Sequence, residues 1–320
     1  MNTAFDTFVN IFTAAVLAGV PLLFGTIGEI LTQKSGSLNL GVEGLMYLGA
    51  ICGFAGGFYL NNPAAALLTA FAGGMLGSLI YALLTVTLGA NQNVTGLTLA
   101  LFGAGVANYI GDAMINNSAT KAVALSAKLK EAFRPVSIPR LSDIPYAGKL
   151  FFQYNIFVYL GIIIAIAMYI YLNKTRIGLN LRAIGENPPA SDAAGVMVMR
   201  YKYAHIMIGG GICALGGAYI AIVTCGGTWV YNCVNGQGWI AVALVIFASW
   251  SSLRALLGSL VFGALVIVRF YIPRGSVPNA VLMMTPFIVT CLVLIFTSVG
   301  QSREMMQPAA CGLNYDREER

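Results

Sequence analysis

Charged side chains are scarce in this sequence of 320 residues. Asp, Glu, Lys and Arg together make up 9% of the chain, whereas hydrophobic residues make up 58%. A soluble domain carries about 25% charged residues, because its surface has to stay hydrated. The scarcity therefore excludes an ordinary water-soluble fold and predicts a protein that is surrounded by lipid over most of its perimeter.

Long runs without any charge mark the parts of the chain that meet lipid. No charged residue occurs between residues 6 and 29, 43 and 112, 149 and 174, 202 and 254, or 274 and 303. A spanning helix needs about 20 mostly apolar residues. Backbone in lipid must satisfy its own hydrogen bonds, so that only helices or closed barrels can cross. Barrel strands alternate polar and apolar residues, and runs such as residues 156–170 do not alternate.

The predicted fold is therefore an all-α, polytopic transmembrane helical bundle, in a single domain that covers residues 1–320. Turn residues and polar breaks divide the chain into nine hydrophobic segments, within a range of about 8–10 spans. The segments cover roughly residues 8–31, 40–60, 64–88, 94–111, 150–172, 204–224, 239–250, 256–271 and 280–298. The seventh and eighth segments are short, which indicates half-helices or broken helices inside the bundle.

Motifs of soluble-type catalysis are absent from the sequence. His205 is the single histidine, so that neither an HExxH zinc site nor a cluster of histidine ligands can form. GxSxG does not occur, and a Ser-His-Asp triad would have to converge on that one histidine. The six cysteines show no CxxC spacing and are interpreted as small hydrophobes. We therefore predict no catalytic residue and no metal site, and we interpret His205 as an interfacial side chain.

A nucleotide-binding loop is absent as well. GxxxxGK[ST] does not occur, and the nearest fragment, residues 148–150, lacks the first glycine and the Ser or Thr that would hold magnesium. If ATP powers this protein, another chain binds the ATP. The net charge of +6 is small for this length and is typical of basic membrane loops, so that it does not indicate a nucleic acid partner.

Two polar connections between the hydrophobic segments indicate how the chain is oriented across the membrane. With nine crossings and the N-terminus outside, the basic residues 173–203 face the cytoplasm, and residues 112–149 form an extracytoplasmic connection. Ten of the eighteen Lys and Arg residues are then inside, and six of the other eight lie in residues 112–149. The positive-inside rule supports this orientation clearly only when that one connection is left out.

Residues 182–195 carry the signals of a short, capped helix within the basic segment. Asn187 is a favoured N-cap, Pro188 suits the first helical position, and Gly195 can adopt the left-handed conformation that ends a helix. Such a segment is, on structural grounds alone, a two-turn helix on a loop. Its rigidity also suits a peg that docks into the groove of a partner and transmits motion.

Glu43 is a carboxylate near the start of the second hydrophobic segment. A charge at this depth is costly and normally faces protein or a water-filled cavity. It can be a structural hydrogen-bond hub, an interfacial residue or part of a substrate path, and we favour the hub because buried charges are usually paired. Asn39 is its candidate neighbour. Three further asparagines can line a polar route or simply cap helices; they are Asn91, Asn93 and Asn108.

Small residues recur at the spacing that allows two helices to touch closely. Gly49, Gly53 and Gly57 form one such ladder, and Gly73 with Gly77 forms another. The hydrophobic effect does not drive helices together in lipid, and close packing of their backbones stabilises the association instead. These glycines therefore predict tight helix packing.

The pattern resembles a known family of transport proteins. Residues 182–195 are similar to the coupling segment of permeases of the ABC importer superfamily that serves branched-chain amino acids, simple sugars and nucleosides. Residues 28–46 resemble its nucleoside and simple-sugar branch, and residues 89–97 and 236–243 match further blocks of the family. The resemblance covers about residues 20–300. Pro189, Ser191 and the sequence of residues 248–250 depart from the pattern; at 248–250, Ala-Ser-Trp replaces a glycine-rich turn.

The resemblance implies a permease subunit of an ATP-driven importer in the bacterial cytoplasmic (inner) membrane. It implies an ABC ATPase subunit that holds ATP and magnesium, an extracytoplasmic substrate-binding lipoprotein, a second permease chain in a heterodimer, and a nucleoside as cargo. Contact with the ATPase then falls to residues of the coupling segment: Arg182, Gly185, Glu186, Asn187, Pro188, Ala190, Asp192 and Gly195.

The sequence is also compatible with other cargoes and other functions. A path rich in Asn, Gln, Thr and Tyr suits a neutral polar solute, so that ribose or galactose fits as well as a nucleoside, and the family also carries branched-chain amino acids. A secondary transporter would need no ATPase, but should show paired intramembrane charges or inverted repeats. A membrane enzyme would need catalytic residues converging near one face of the membrane.

Overall fold

The computed structural model describes residues 3–118, 121–136, 147–268, 270–271, 278–297 and 306–316. These residues form helices joined by loops. The helices are α1 Thr3–Lys34, α2 Val42–Leu60, α3 Pro63–Ala82, α4 Gln92–Asn116, α5 Ala127–Ala132, α6 Ala147–Phe151, α7 Ile156–Lys174, α8 Arg176–Glu186, α9 Pro188–Ala193, α10 Val198–Tyr219, α11 Gln237–Phe247, α12 Ser252–Val268 and α13 Asn279–Thr297. Short π-helical turns, Leu83–Thr87 and Ile220–Thr224, extend α3 and α10.

Six helices of the described chain are long and apolar enough to cross a membrane; they are α1, α2, α3, α4, α7 and α10. The all-α prediction is therefore confirmed. The seventh and eighth hydrophobic segments are indeed short, because α11 has 11 residues and α12 has 17.

Two predicted boundaries were wrong. The fifth span starts at Ile156, not at residue 150, because the side chain of Asn155 accepts a hydrogen bond from the Val158 N–H and caps α7 there. Of the apolar residues before it, Leu150 and Phe151 belong to α6, and residues 152–155 form the connection to α7. The sixth span starts at Val198, six residues earlier than the apolar pattern of the sequence indicated.

His205 is buried, which corrects the interfacial interpretation. Because α10 starts at Val198, His205 lies two turns inside the helix and is only 4% exposed. Its Nε2 lies 2.7 Å from the Tyr171 hydroxyl, and its Nδ1 lies 2.6 Å from the carbonyl oxygen of Tyr201. The imidazole therefore joins α10 to α7 as a packed, hydrogen-bonded side chain.

The centre of the bundle is α10, which packs against α1, α2 and α3. Glycines make this packing close, as the ladders predicted. A methyl group added at Gly49 of α2 would lie 2.0 Å from the carbonyl oxygen of Ala214 in α10, and one at Gly73 of α3 would lie 2.5 Å from Sγ of Cys52 in α2. Contacts this short show that backbone meets backbone or small side chains between these helices.

The bundle has two ends, which we name by the residues that close α1 and α2. At the Lys34 end, α8 packs so closely that Gly185 lies against the carbonyl group of Lys34. At the Leu60 end, Ser126 donates a hydrogen bond to the side chain of Asn61, and Leu129 of α5 packs beside Gly57. The described part of the connection after α4 and the segment around α8 and α9 thus lie at opposite ends of the bundle.

Two irregular segments enter the bundle from these ends. Residues 35–41 lead from Lys34 back to the start of α2, where Val42 lies beside Gly25 of α1. Gly25 is nine residues, or about 13 Å, from the end of α1. From the Leu60 end, residues 225–236 lead to the start of α11, where Ala241 also lies against Gly25. Both α2 and α11 therefore begin inside the bundle, and α11 is a half-helix.

Candidate functional site

Glu43 lies where the half-helix begins. Its Oε1 accepts a hydrogen bond of 2.8 Å from the Gly236 N–H, and its Oε2 accepts one of 2.6 Å from the Gly238 N–H. These are N–H groups of the first turn of α11, which have no partner within the helix. The positive end of the helix dipole favours a negative charge at this place. The carboxylate thus fastens the start of α11 to the first turn of α2.

The two helix starts also touch through their backbones. A methyl group at Gly238 would lie 2.4 Å from Cα of Glu43, so that glycine is required for this approach. One turn further along α2, the Tyr47 hydroxyl accepts a hydrogen bond of 3.3 Å from the Asn235 N–H. Glu43 and Tyr47 share one face of α2 because they are four residues apart. Together they hold residues 235–238 inside the bundle.

This arrangement is suited to a transport site. Transporters build solute sites where discontinuous helices begin inside the membrane, because helix ends and irregular backbone supply polar groups there. Here the one carboxylate is already paired with two N–H groups. The other polar groups beside it are the Tyr47 hydroxyl and the backbone of residues 235–238, which carry no net charge and suit a neutral polar solute.

Glu29 forms a second polar cluster that the sequence analysis did not single out. It is fully buried, and its Oε1 accepts hydrogen bonds from Nε2 of Gln33 at 2.8 Å and from the Asn39 N–H at 3.1 Å. Gln33 in turn accepts a hydrogen bond of 2.6 Å from the Trp250 indole. The charge at residue 29, inside a long apolar helix, was the signal that could have found this cluster.

Trp250 belongs to the turn between α11 and α12, where the sequence departs from the glycine-rich pattern. Ser249 and Trp250 have φ angles of 47° and 53°, a left-handed conformation that costs a non-glycine residue about 1–2 kcal/mol. The turn therefore keeps a glycine-like backbone without glycine. The hydrogen bond from Trp250 to Gln33 helps to hold it against α1.

Replacing Trp250 with phenylalanine should lower the free energy of unfolding by about 1–2 kcal/mol, because Gln33 loses its donor while most of the ring packing stays. Thermal unfolding of the detergent-solubilised chain measures the change. Trp239→Phe is the matched control, since Trp239 is also half-buried and lies in the first turn of α11. Equal midpoints for Trp250→Phe and the parent chain would contradict the anchoring role.

The asparagines predicted to surround Glu43 are dispersed. Asn39 is buried and hydrogen bonds to Glu29 and, through Oδ1, to the Gly41 N–H at 2.8 Å. Asn91 caps α4 by accepting a hydrogen bond from the Val94 N–H, and Asn93 is exposed in the first turn of the same helix. Asn108 exchanges hydrogen bonds with Asn232 towards the Leu60 end. In the structure, Asn91 thus acts as a helix cap. For all four asparagines, a role in the solute path stays a prediction.

The capped helix predicted after residue 186 is present as α9. Oδ1 of Asn187 accepts a hydrogen bond of 3.0 Å from the Ala190 N–H, Pro188 opens the helix, and Gly195 has a φ angle of 86°. The segment as a whole is longer than predicted, because α8, which contains Arg182, Gly185 and Glu186, leads directly into it. The outer surface of α9 is exposed and consists mostly of small residues: Pro189, Ala190, Ala193, Ala194 and Gly195.

Residues 306–316 hold α8 and α9 against the rest of the Lys34 end. The Ala310 N–H donates to the carbonyl oxygen of Gly185 at 2.9 Å, and the Tyr315 hydroxyl donates to Oδ2 of Asp192 at 2.9 Å. Asn314 donates to the carbonyl oxygen of Gly89, before α4. Burial raises the pKa of the Cys311 thiol to about 12, so that it stays protonated. This segment therefore joins the coupling segment to the loop between α3 and α4.

Comparisons with known proteins place the chain in one family. The family described as the permease component of the branched-chain amino acid transport system matches residues 9–296. The nucleoside ABC transporter permease protein NupC of Lactococcus lactis subsp. cremoris is 32% identical, over 97% of this chain and 98% of that protein. The guanosine ABC transporter permease protein NupQ of Bacillus subtilis is 33% identical, over 89% and 90%.

A third relative has a different named cargo. The protein named "Putative glucose ABC transporter permease protein TsgC13" of Haloferax volcanii is 30% identical, over 97% of this chain and 98% of that protein. In each of the three organisms, a second permease named for the same cargo matches with 25%, 24% or 23% identity. Permeases of this family have no ATPase site of their own and work with an ATPase subunit and a substrate-binding protein. The chain therefore belongs to the permease-component family of the branched-chain amino acid transport system and is a multi-pass subunit of an ATP-driven importer in the bacterial cytoplasmic membrane.

Proposed function

We propose that this permease imports a nucleoside. The observation that carries the proposal is the neutral polar surrounding of Glu43, whose charge is already paired with the Gly236 and Gly238 N–H groups. A nucleoside offers hydroxyl groups and a base with donors and acceptors but no net charge. Two of the three relatives named above carry nucleosides or guanosine, which supports the same cargo.

Glucose is the second candidate cargo, because TsgC13 aligns over nearly its full length. A hexose is also neutral and polar, but lacks an aromatic base that could stack. Uptake of labelled uridine, guanosine, ribose and glucose by the complete transporter in proteoliposomes separates the two. Accumulation of glucose without accumulation of either nucleoside would overturn the nucleoside proposal.

We further infer that the Lys34 end faces the cytoplasm and that α9 docks on the ATPase subunit, which binds ATP and magnesium. The exposed small residues of α9 allow close approach of a partner, and the Asn187 cap and the bond between Tyr315 and Asp192 make the helix rigid. The contact residues are then those of the coupling segment: Arg182, Gly185, Glu186, Asn187, Pro188, Ala190, Asp192 and Gly195. Residues 112–149 face the outside, where the substrate-binding protein, a lipoprotein in this proposal, delivers the solute.

The partner in the membrane is, in this proposal, a second and different permease chain. Three organisms each have two permeases named for one cargo, and this chain is 30–33% identical to one set and 23–25% identical to the other. Such a consistent division indicates two specialised subunits. Co-purification with differently tagged copies tests it: recovery of a transport-competent complex that contains only this permease would contradict the heterodimer.

Replacing Asn187 with alanine should reduce solute-stimulated ATP hydrolysis of the reconstituted complex about fivefold, because losing an N-cap costs roughly 1 kcal/mol and loosens α9. Asn62→Ala is the matched control, since Asn62 also caps a helix that begins with proline, but at the Leu60 end. The control should keep ATP hydrolysis within about twofold of the parent. Equal losses in the two variants would show a general effect of stability and would sink the coupling role of α9.

A further inference from the structure

A cationic cavity of about 700 Å³ opens at the Lys34 end. It lies between the end of α7, the coupling segment and the turn that leads into α12. Lys34, Arg182 and Arg254 line it, together with a single acidic residue, Glu186. None of the three cations forms an ion pair with a described residue, and Nε of Arg182 is buried without a hydrogen-bond partner among those residues. The three cations outnumber the one carboxylate of Glu186, and this net positive charge favours an anion.

An apolar groove of about 240 Å³ follows the same seam between α7 and α12, further from the Lys34 end. Ile162 of α7 and Leu257 of α12 line it, and both side chains are exposed at the surface of the bundle. Along α7, Ile162 is seven residues from Tyr169, which lines the cationic cavity. Seven residues of helix correspond to about 10 Å. A polar, cationic cavity and an apolar groove therefore adjoin along one surface seam.

We propose that this seam binds an anionic phospholipid, with its phosphate among Lys34, Arg182 and Arg254 and one acyl chain in the groove. Guanidinium groups match phosphate oxygens in geometry and charge. Basic pockets between helices at the edge of a membrane are suited to anionic headgroups. Exposed apolar side chains at the hydrocarbon level suit an acyl chain, whereas a free phosphate or nucleotide would leave the groove unused.

The site connects the lipid to the coupling segment. Arg182 belongs to α8, which leads into α9, whereas Arg254 belongs to α12. A headgroup held by both would fix the position of α8 relative to α12. The lipid site does not depend on the cargo. It shares Arg182 and Glu186 with the proposed ATPase contact, so the variants that test it change only Lys34, Arg254 and Leu257, which lie outside the coupling segment.

Native mass spectrometry of the full chain, titrated with phosphatidylglycerol or phosphatidylcholine, tests the site. The double variant Lys34→Gln and Arg254→Gln should bind phosphatidylglycerol about tenfold more weakly and phosphatidylcholine unchanged. Lys174→Gln with Arg176→Gln is the matched control, because both cations are exposed at the same end but do not line the cavity. An equal loss in the control, or equal binding of the two lipids by the parent chain, would overturn the proposal.

A second variant tests the acyl chain without removing a charge. Leu257→Trp fills the groove at a surface position, and should weaken binding of phosphatidylglycerol severalfold while the thermal midpoint without lipid stays unchanged. Unchanged binding, or competition by inorganic phosphate at the same concentration as the lipid, would assign the cavity to a free anion. If adding the ATPase subunit displaces phosphatidylglycerol, the three cations of the cavity belong to the contact with the ATPase. Each of these results would reject the lipid site.

Discussion

Replacing Glu43 with alanine should abolish uptake and lower the free energy of unfolding by roughly 3–6 kcal/mol. The carboxylate accepts two hydrogen bonds from backbone N–H groups, and a hydrogen bond to a charged group is worth about 1.5–3 kcal/mol. Alanine would leave the Gly236 and Gly238 N–H groups unpaired inside the bundle, where neither lipid nor helix can satisfy them. The start of α11 would then detach from α2. Thermal unfolding and solute uptake of the same preparation measure both effects.

Glu43→Gln separates the structural role of this residue from a direct role in the solute path. The amide oxygen can accept one of the two hydrogen bonds, but the amide nitrogen faces the other N–H as a second donor. A structural hub therefore predicts that glutamine restores part of the stability and part of the uptake together. A residue that acts only on the solute predicts lost uptake with normal stability. Glu131→Ala, at an exposed position of α5, is the control for removing a carboxylate.

Features of the fold that are determined by residues close together in the sequence could be predicted from the sequence. The charge-free runs predicted the spanning helices because lipid requires apolar residues over a fixed length. The cap at Asn187 and the left-handed Gly195 were predicted because a helix end is specified within a few residues. The start of α7 was misplaced because apolar residues continue past its cap, and apolarity does not distinguish α6 from a spanning helix.

Contacts between residues far apart in the chain could not be predicted from the sequence, because two residues that meet across the bundle share no local sequence pattern. Gln33 and Trp250 are 217 residues apart, and neither has a periodicity that points to the other. The predicted hub at Glu43 has partners 193 and 195 residues away, which are backbone groups and carry no sequence signal beyond the glycines. The asparagines grouped with Glu43 were similar in chemistry, but they lie in the segment before α2, at the start of α4 and towards the Leu60 end of α4. Side-chain chemistry singled out Glu43 but could not identify the residues that contact it.

Replacing Gly49 with alanine should destabilise the chain by about 3 kcal/mol or more, although it adds a single methyl group. The new carbon would lie 2.0 Å from the carbonyl oxygen of Ala214 and 2.4 Å from its Cα, so that the whole of α2 has to move away from α10. Overpacking usually costs about 1–3 kcal/mol when side chains can adjust. Here the obstacle is backbone of the central helix, which cannot rotate aside. Thermal unfolding of the solubilised chain measures the loss, and uptake should fall with it.

Gly105→Ala is the matched control, because Gly105 lies on α4 with nothing within 4 Å of the added methyl group. In a helix, alanine is more favourable than glycine by about 0.5–1 kcal/mol. The same substitution should therefore stabilise the chain at residue 105 and destabilise it at residue 49. A stabilising effect at both sites would mean that helix propensity outweighs packing, and that α2 and α10 are not in backbone contact in the membrane. Opposite signs require that contact, because the added group is identical and only its neighbour differs.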